Sequence, residues 1–128
     1  MFREMTEEEM KCIKWPVTVK SPRDGGSVRE ETMLCHFNMI DEDEYDKLAS
    51  SEDADKQVLR RVLVGWGKTK KTGDSERIEQ GFYDRDGNHI DFSEEARERL
   101  IKLPYARVAI VNGYIAMKYG NNSAVRKN

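Results

Sequence analysis

The residues best suited to chemistry lie at positions 84–88, where the sequence reads DRDGN, with Glu95 following in the next segment. A calcium-binding loop takes oxygen ligands at its positions 1, 3, 5 and 12. Here those positions hold Asp84, Asp86, Asn88 and Glu95. Such a loop also needs glycine at position 6 for its sharp bend, but that place is His89. We therefore predict an ordinary Asp-Gly turn without a metal ion. A small calcium-binding regulatory domain that uses Asp84 to Glu95 is the alternative.

The two histidines and the two cysteines are the other candidate reactive groups: His36, His89, Cys12 and Cys35. Their spacing matches no zinc-finger pattern, and it places no nucleophile beside a general base. The glycines of segments 25–26 and 65–67 lack the surrounding spacing of a phosphate-binding loop. We therefore predict no catalytic residue, no cofactor and no enzyme activity.

The composition argues against several classes of protein. At 128 residues the chain suits one domain with its own core. Its 22 basic and 24 acidic residues leave a net charge of -2, which argues against bulk attraction to nucleic acid or to an anionic membrane. No run approaches the ~18 apolar residues of a membrane span, and the N-terminus lacks the pattern of a secretory leader. We expect a cytosolic protein with reduced thiols.

The segment from Ile90 to Tyr119 has the longest helical pattern in the chain. Ser93, followed by two glutamates, predicts a helix start, and Pro104 divides the segment into two helices. From Pro104 to Tyr119, two adjoining apolar rows predict a helix that is buried over much of its circumference. The rows are Val108, Val111, Ile115 and Tyr119, and beside them Ala106, Ile110, Tyr114 and Met117.

The upstream segments alternate between strand and helix patterns. Trp15 to Lys20 predicts an edge strand, Asp24-Gly25 a tight turn, and Val28 to Met39 the returning strand of a hairpin. Asp41 predicts the start of a helix that runs to Ala49. A second helix carries an apolar stripe made of Val58, Leu59, Val62, Leu63 and Trp66. The polar run from Lys68 to Gln80 predicts a mobile loop.

Together these patterns predict an α+β fold that is mainly helical. An N-terminal β-hairpin precedes about four helices, with a short Asp-Gly turn or hairpin before the last two. We assign residues 1–14 to an N-terminal extension that could form a short helix. Residues 15–119 form a single domain, and residues 120–128 form a flexible tail.

The chain has more large apolar and aromatic side-chain area than one hairpin can cover, and it also contains six methionines. Such adaptable area predicts a protein-binding groove, although core packing is the alternative for each residue taken singly. The residues that we select for contact with a partner are Trp66, Tyr105, Val111, Tyr114, Ile115 and Tyr119.

Four segments of the chain, taken in order, resemble the tail assembly chaperones of long-tailed (siphovirus) bacteriophages. They read WPVTVKSPRDGG, FNMIDEDEYDKL, VLVGW and DRDGNHIDFSEEARERLIKLPYARVAIVNGY. The resemblance covers roughly residues 15–119, and it depends on the order and spacing of the segments rather than on any one of them. The N-terminal segment and the run from Lys68 to Gln80 depart from the family pattern.

This resemblance implies a non-enzymatic protein of the host cell cytoplasm that binds the tape measure protein. Such a chaperone keeps the tape measure protein soluble during tail tube assembly and is absent from the mature virion. The family is commonly made in two lengths by a programmed frameshift, so one implied partner is a frameshifted longer form of the chain. The tail tube protein is a further implied partner. We also expect weak homo-oligomers, no nucleic acid and no membrane. A minor virion structural protein is a further alternative.

Overall fold

The computed structural model describes residues 1–121, so most of the tail expected at 120–128 lies outside the described residues. In the described part the chain forms seven strands and four helices. In chain order these are β1 (Ile13–Pro22), β2 (Val28–Phe37), α1 (Glu42–Ala49), α2 (Ala54–Val62), β3 (Leu63–Trp66), β4 (Lys68–Thr72), β5 (Ser75–Glu79), β6 (Phe82–Tyr83), β7 (His89–Ile90), α3 (Glu94–Ile101) and α4 (Pro104–Lys118).

The prediction of a mainly helical fold is wrong. The described residues are 36% helical and 31% strand, and the strands form three small antiparallel sheets. The largest sheet has the order β1-β2-β3, while β4-β5 and β6-β7 are two-stranded. The predicted N-terminal hairpin is present, and Gly25 adopts the positive φ of 79° that its turn requires.

Part of the error lies at the end of α2, where the helix stops at Val62 and the apolar stripe continues as β3. Trp66 pairs with Cys35 of β2, and Gly65 pairs with His36. The backbone of this short segment therefore forms hydrogen bonds to a strand far away in sequence. The spacing of apolar residues within one segment does not reveal that the segment pairs with a distant strand.

The second error concerns the predicted loop from Lys68 to Gln80, which is the β4-β5 hairpin. Thr72 pairs with Ser75 across a two-residue turn whose Gly73 has a φ of 61°. All five residues of β4 are exposed, as are the first three of β5. Because neither face of the hairpin is buried, its strands carry no apolar alternation that a sequence pattern could detect.

Local signals that do not depend on a distant partner are confirmed. The Ser93 hydroxyl oxygen accepts a hydrogen bond from the Ala96 N–H at 2.9 Å, which caps α3. Pro104 stands at the start of α4, as expected of a residue that cannot continue a helix.

The N-terminal extension forms a single turn rather than a helix. In this turn the Thr6 N–H donates to the Glu9 carboxylate and the Glu9 N–H donates to the Thr6 hydroxyl.

The core lies between one face of the three-stranded sheet and the helices. Phe37 of β2 contacts Tyr114 of α4 edge to face, with ring centroids 5.6 Å apart, and both side chains are fully buried. The Tyr114 hydroxyl oxygen accepts a hydrogen bond from the Ile40 N–H at 3.2 Å. This hydrogen bond lets a tyrosine occupy the centre of an apolar core.

Helix α4 packs against β1 at Gly113. A Cβ atom placed on Gly113 would lie 2.5 Å from the Cγ2 atom of Val17, far inside van der Waals contact. Val17 is buried, and its β-branched side chain has few alternative rotamers. Glycine at position 113 therefore sets the distance between the helix and the sheet.

Gly113→Ala tests this contact. We expect a net loss of about 1 kcal/mol in the free energy of unfolding, because overpacking costs about 1–3 kcal/mol and alanine recovers up to about 1 kcal/mol of helix propensity. In a Val17→Ala background the same change should become neutral or stabilising, because the clashing methyl group is absent. Urea unfolding of the four proteins measures both steps. An equal loss in both backgrounds would contradict the contact.

Candidate protein-binding site

The structure divides the six residues selected for partner contact into three groups. Trp66, Val111 and Tyr114 are buried in the core, so they present no free surface in this conformation. Tyr105 and Tyr119 are 39% and 72% exposed. The sixth residue, Ile115, is partly buried and packs against the edge of the core.

The burial of Trp66 follows from partners that the sequence alone did not reveal. Its indole N–H donates to the Ile90 carbonyl oxygen at 2.8 Å. Its ring meets Phe82 and Phe92 edge to face, with centroids 5.5 and 4.9 Å away. The tryptophan thus joins β3 to β6, β7 and the segment that precedes α3.

A stripe of side chains along α4 remains on the surface, and we call it the α4 seam. It includes the exposed residues Tyr105 and Tyr119 and the partly buried Ile115. Two further residues belong to it that the sequence analysis did not select for contact: Val108, which is 50% exposed, and Asn112, which is also exposed. The intervals between successive residues are three, four, three and four, which is the spacing of a coiled-coil seam. Applied to α4, this spacing could have found both residues. The α4 seam consists of Tyr105, Val108, Asn112, Ile115 and Tyr119.

A groove runs beside the α4 seam, between α4 and the free edge of β1. Its volume is about 910 Å³, and residues 15–18 of β1 line one wall. Small residues of α4 line the other side: Ala109, Gly113 and Ala116. At Gly113 the helix packs against Val17 of β1, so the groove is open toward solvent only beside Ala109 and Ala116.

The free edge of β1 is a poor template for an added strand. The Leu34 N–H donates a hydrogen bond to the backbone carbonyl oxygen of Gln80 at 2.7 Å, and the Leu34 carbonyl oxygen accepts one from the Gly67 N–H at 2.8 Å. These groups point away from β1, so Pro16, which pairs with Leu34, directs its backbone toward the free edge. The direction of the backbone groups alternates from residue to residue along a strand, so Pro22, six residues after Pro16, also directs its backbone toward the free edge. Proline has no N–H, so two outward positions of this edge lack a donor.

The α4 seam contains no charged side chain. Both cationic residues of the helix have partners outside the seam, and Lys118 Nζ also lies 5.4 Å from the centroid of the Tyr119 ring. Lys118 Nζ lies 3.3 Å from the Glu42 carboxylate and 3.3 Å from the centroid of the Tyr45 ring. The Arg107 guanidinium donates to the Ile101 carbonyl oxygen at 2.9 Å. A partner of the α4 seam therefore meets a neutral surface of mixed polarity.

Comparisons with protein-family models, curated proteins and solved structures found no match. The function must therefore be argued from the surface. Within residues 1–121, no helix is both long enough and apolar enough to cross a membrane.

The segment considered for calcium binding forms a closed turn. The Asp84 carboxylate accepts hydrogen bonds at 2.9 Å from the Asn88 N–H and from the Asp86 N–H. These bonds stabilise the ionised form and hold the pKa of Asp84 below its usual value. Among residues 1–121, no group of three or more His, Cys, Asp or Glu side chains is arranged to hold a metal ion.

The two histidines have structural partners. His36 Nε2 lies 2.7 Å from the Gly67 carbonyl oxygen, and His89 Nδ1 lies 3.2 Å from the Asp91 carboxylate. Partial burial lowers the pKa of His36, as does the charge of Lys14, while the hydrogen bond to Gly67 acts in the opposite direction. His36 is therefore neutral and packed at neutral pH.

The lowered pKa of His36 predicts a loss of stability in mild acid. The unfolded chain, where a histidine has a pKa of about 6.5, takes up a proton at a higher pH than the folded chain. The stability that neutral His36 contributes to the folded chain is therefore complete above the unfolded pKa, and it is lost as the pH falls toward the lower pKa of the folded chain. We expect urea unfolding to show a larger loss between about pH 7.5 and about pH 5.5 in the unmodified chain than in His36→Gln. Identical losses would contradict this role.

Proposed function

We propose that this chain is a non-enzymatic tail assembly chaperone that binds helical segments of the tape measure protein along the α4 seam. The observation that carries the proposal is an exposed, uncharged stripe with coiled-coil spacing beside an open groove. A long client that is rich in helices exposes apolar stripes of the same period before its tail tube surrounds it. Helix-in-groove recognition pairs such stripes.

The segments that resemble the chaperone family meet in one part of the fold. Trp66 of VLVGW contacts Phe92, which precedes the Ser93 cap, and its indole bonds to Ile90 beyond the Asp-Gly turn. These residues therefore hold elements together and leave client contact to α4. The proposal therefore assigns the client contact to the α4 seam.

The surface outside the α4 seam suits a protein that keeps a client in solution. Charged residues make up 36% of the chain, and both signs are mixed along it. Such a surface resists association with unrelated proteins. Binding through a few positions is weak enough to be reversed when tail tube subunits displace the chaperone.

The remainder of the proposal concerns the setting of this chaperone. It acts in the host cell cytoplasm, is absent from the mature virion, and works with a frameshifted longer form of itself and with the tail tube protein. Mass spectrometry of purified particles tests the setting: recovery of this chain in stoichiometric amount would favour a minor virion structural protein instead.

The client contact is tested by co-expressing the chain with its tape measure protein and measuring how much client stays soluble. Val108→Asp places a charge in the middle of the α4 seam, and Val28→Asp is a matched control, because the two valines are 50% and 51% exposed. We expect Val108→Asp to weaken binding of a helical client peptide tenfold or more, about 1.4 kcal/mol, in fluorescence anisotropy. The control should bind normally. Equal affinities for both variants would refute the α4 seam as the contact.

A calcium titration separates the proposal from its rival. Asp84 already bonds to two backbone amides in the turn, so we expect no heat in calorimetry and no change in melting temperature on adding calcium. Heat that disappears in Asp84→Ala would instead support a calcium-binding regulatory domain.

A further inference from the structure

A second cleft opens between the turn end of the first hairpin and the turn that joins β6 to β7. Its volume is about 580 Å³, which is within the usual range for ligand sites. Residues of β1 and β2 line one side, and the segment 81–87 and the junction of α3 and α4 line the rest. Three arginines also line it, and we call it the arginine cleft: Arg29, Arg85 and Arg99.

The cleft exists because the hairpin is longer than the core that it covers. Val17 and Met33 pair across the hairpin, and both are buried. Because side chains alternate between the two faces of a strand, the pairs two and four positions further on share this inward face. These pairs are Val19 with Glu31 and Ser21 with Arg29, and all four residues line the cleft.

Part of the lining is apolar. Met33, Leu100 and Ala106 belong to the buried core and also line the cleft. Tyr83 and Tyr105 line it as well, and both are exposed. An apolar side chain of a ligand would therefore leave water on entering the cleft, which is favourable.

The acidic residues of the lining are already engaged. Glu31 forms an ion pair with Arg29, with the nitrogen and oxygen 3.0 Å apart. Asp84 Oδ1 accepts hydrogen bonds from the backbone N–H groups of Asp86 and Asn88. These two carboxylates therefore do not neutralise the other two arginines by contact.

Arg85 and Arg99 form no ion pair within residues 1–121. The positive charge of Arg99 helps to lower the pKa of Asp84, yet the two groups are not in contact. The Arg99 guanidinium instead lies over the Phe82 ring, 5.9 Å from its centroid. A guanidinium that stacks on a ring keeps its N–H groups available for a carboxylate.

We propose that the arginine cleft binds a peptide segment of a partner protein in which an acidic side chain stands next to an apolar one. The carboxylate accepts hydrogen bonds from Arg85 and Arg99, and the apolar side chain packs against the leucine and tyrosine side chains of the lining. The inference does not depend on the proposed function. Of the α4 seam, only Tyr105 lines the cleft.

The mixed chemistry of the lining selects this class of ligand. Inorganic phosphate or a nucleic acid would use the arginines and leave the apolar lining in water, and the net charge of -2 gives no long-range attraction to a polyanion. A wholly apolar segment would cover two guanidinium groups without a partner, which costs free energy. A peptide with both kinds of side chain satisfies both parts of the cleft.

Fluorescence anisotropy with three octapeptides tests this chemistry. Each peptide carries the same neutral dye, and the three alternate leucine with aspartate, leucine with lysine, and serine with aspartate. We expect the leucine-aspartate peptide to bind most tightly, and added NaCl should weaken its binding because the contact is between charges. Failure of this peptide to bind at up to about 1 mM protein, or equal binding of either other peptide, would overturn the proposal.

Arg85→Ala tests the site itself, and Arg3→Ala is a control that removes the same charge outside the cleft. Both arginines are exposed and neither forms an ion pair within residues 1–121, so neither change should alter the melting temperature. Loss of a charge-assisted hydrogen bond should weaken binding of the leucine-aspartate peptide about tenfold in Arg85→Ala. Arg3→Ala should bind normally, and Arg85→Glu should bind the leucine-lysine peptide more tightly than the unmodified chain does. Equal affinities of Arg85→Ala and Arg3→Ala would reject the cleft as the site.

The client experiment gives separate outcomes. Val108→Asp should leave binding of the leucine-aspartate peptide unchanged, because Val108 does not line the arginine cleft. A loss in Val108→Asp as large as that in Arg85→Ala would place the peptide on the α4 seam and overturn the inference. Peptide binding by a chain that ignores the tape measure protein would leave the arginine cleft standing and reject the proposed function.

Discussion

The contact between Gly113 and Val17 is the constraint on which the rest of the structure depends. Because a Cβ on Gly113 would collide with Val17, α4 can lie directly on β1 only with its glycine face inward. That contact also fixes the rotation of the helix about its own axis. With this rotation Ile110, Tyr114 and Met117 enter the core, and the opposite side of the helix remains in solvent.

The largest aromatic side chains are used to hold elements together. The Tyr114 hydroxyl bonds to the backbone that follows β2, and the Trp66 indole bonds to the backbone of β7. Each polar atom satisfies a backbone group that burial would otherwise leave without a partner. With these anchors buried, the exposed stripe of α4 contains a central asparagine and partly covered apolar residues, which suits reversible rather than permanent association.

The parts of the fold that could be predicted from the sequence are those decided within a few residues. The Ser93 cap, the break at Pro104 and the glycine turn of the first hairpin each depend on local backbone geometry. Strand β3 could not be found in this way, because the strand partner of Trp66 is Cys35, 31 residues earlier. The candidate site had the same difficulty, since the rotation of α4 decides which of its apolar rows is buried. The sequence therefore predicted helix α4 but selected Val111 and Tyr114 for partner contact, and both are buried in the core.

The β4-β5 hairpin leaves the body of the protein and returns to it at a single point. Gly67, before the hairpin, and Gln80, after it, both form hydrogen bonds to the backbone of Leu34. The two ends of the hairpin therefore lie side by side, and the exposed strands between them contribute little to the core. The exposed tip of the hairpin at Gly73 and Asp74 is thus a place where a fluorescent label can be inserted without repacking the rest of the domain.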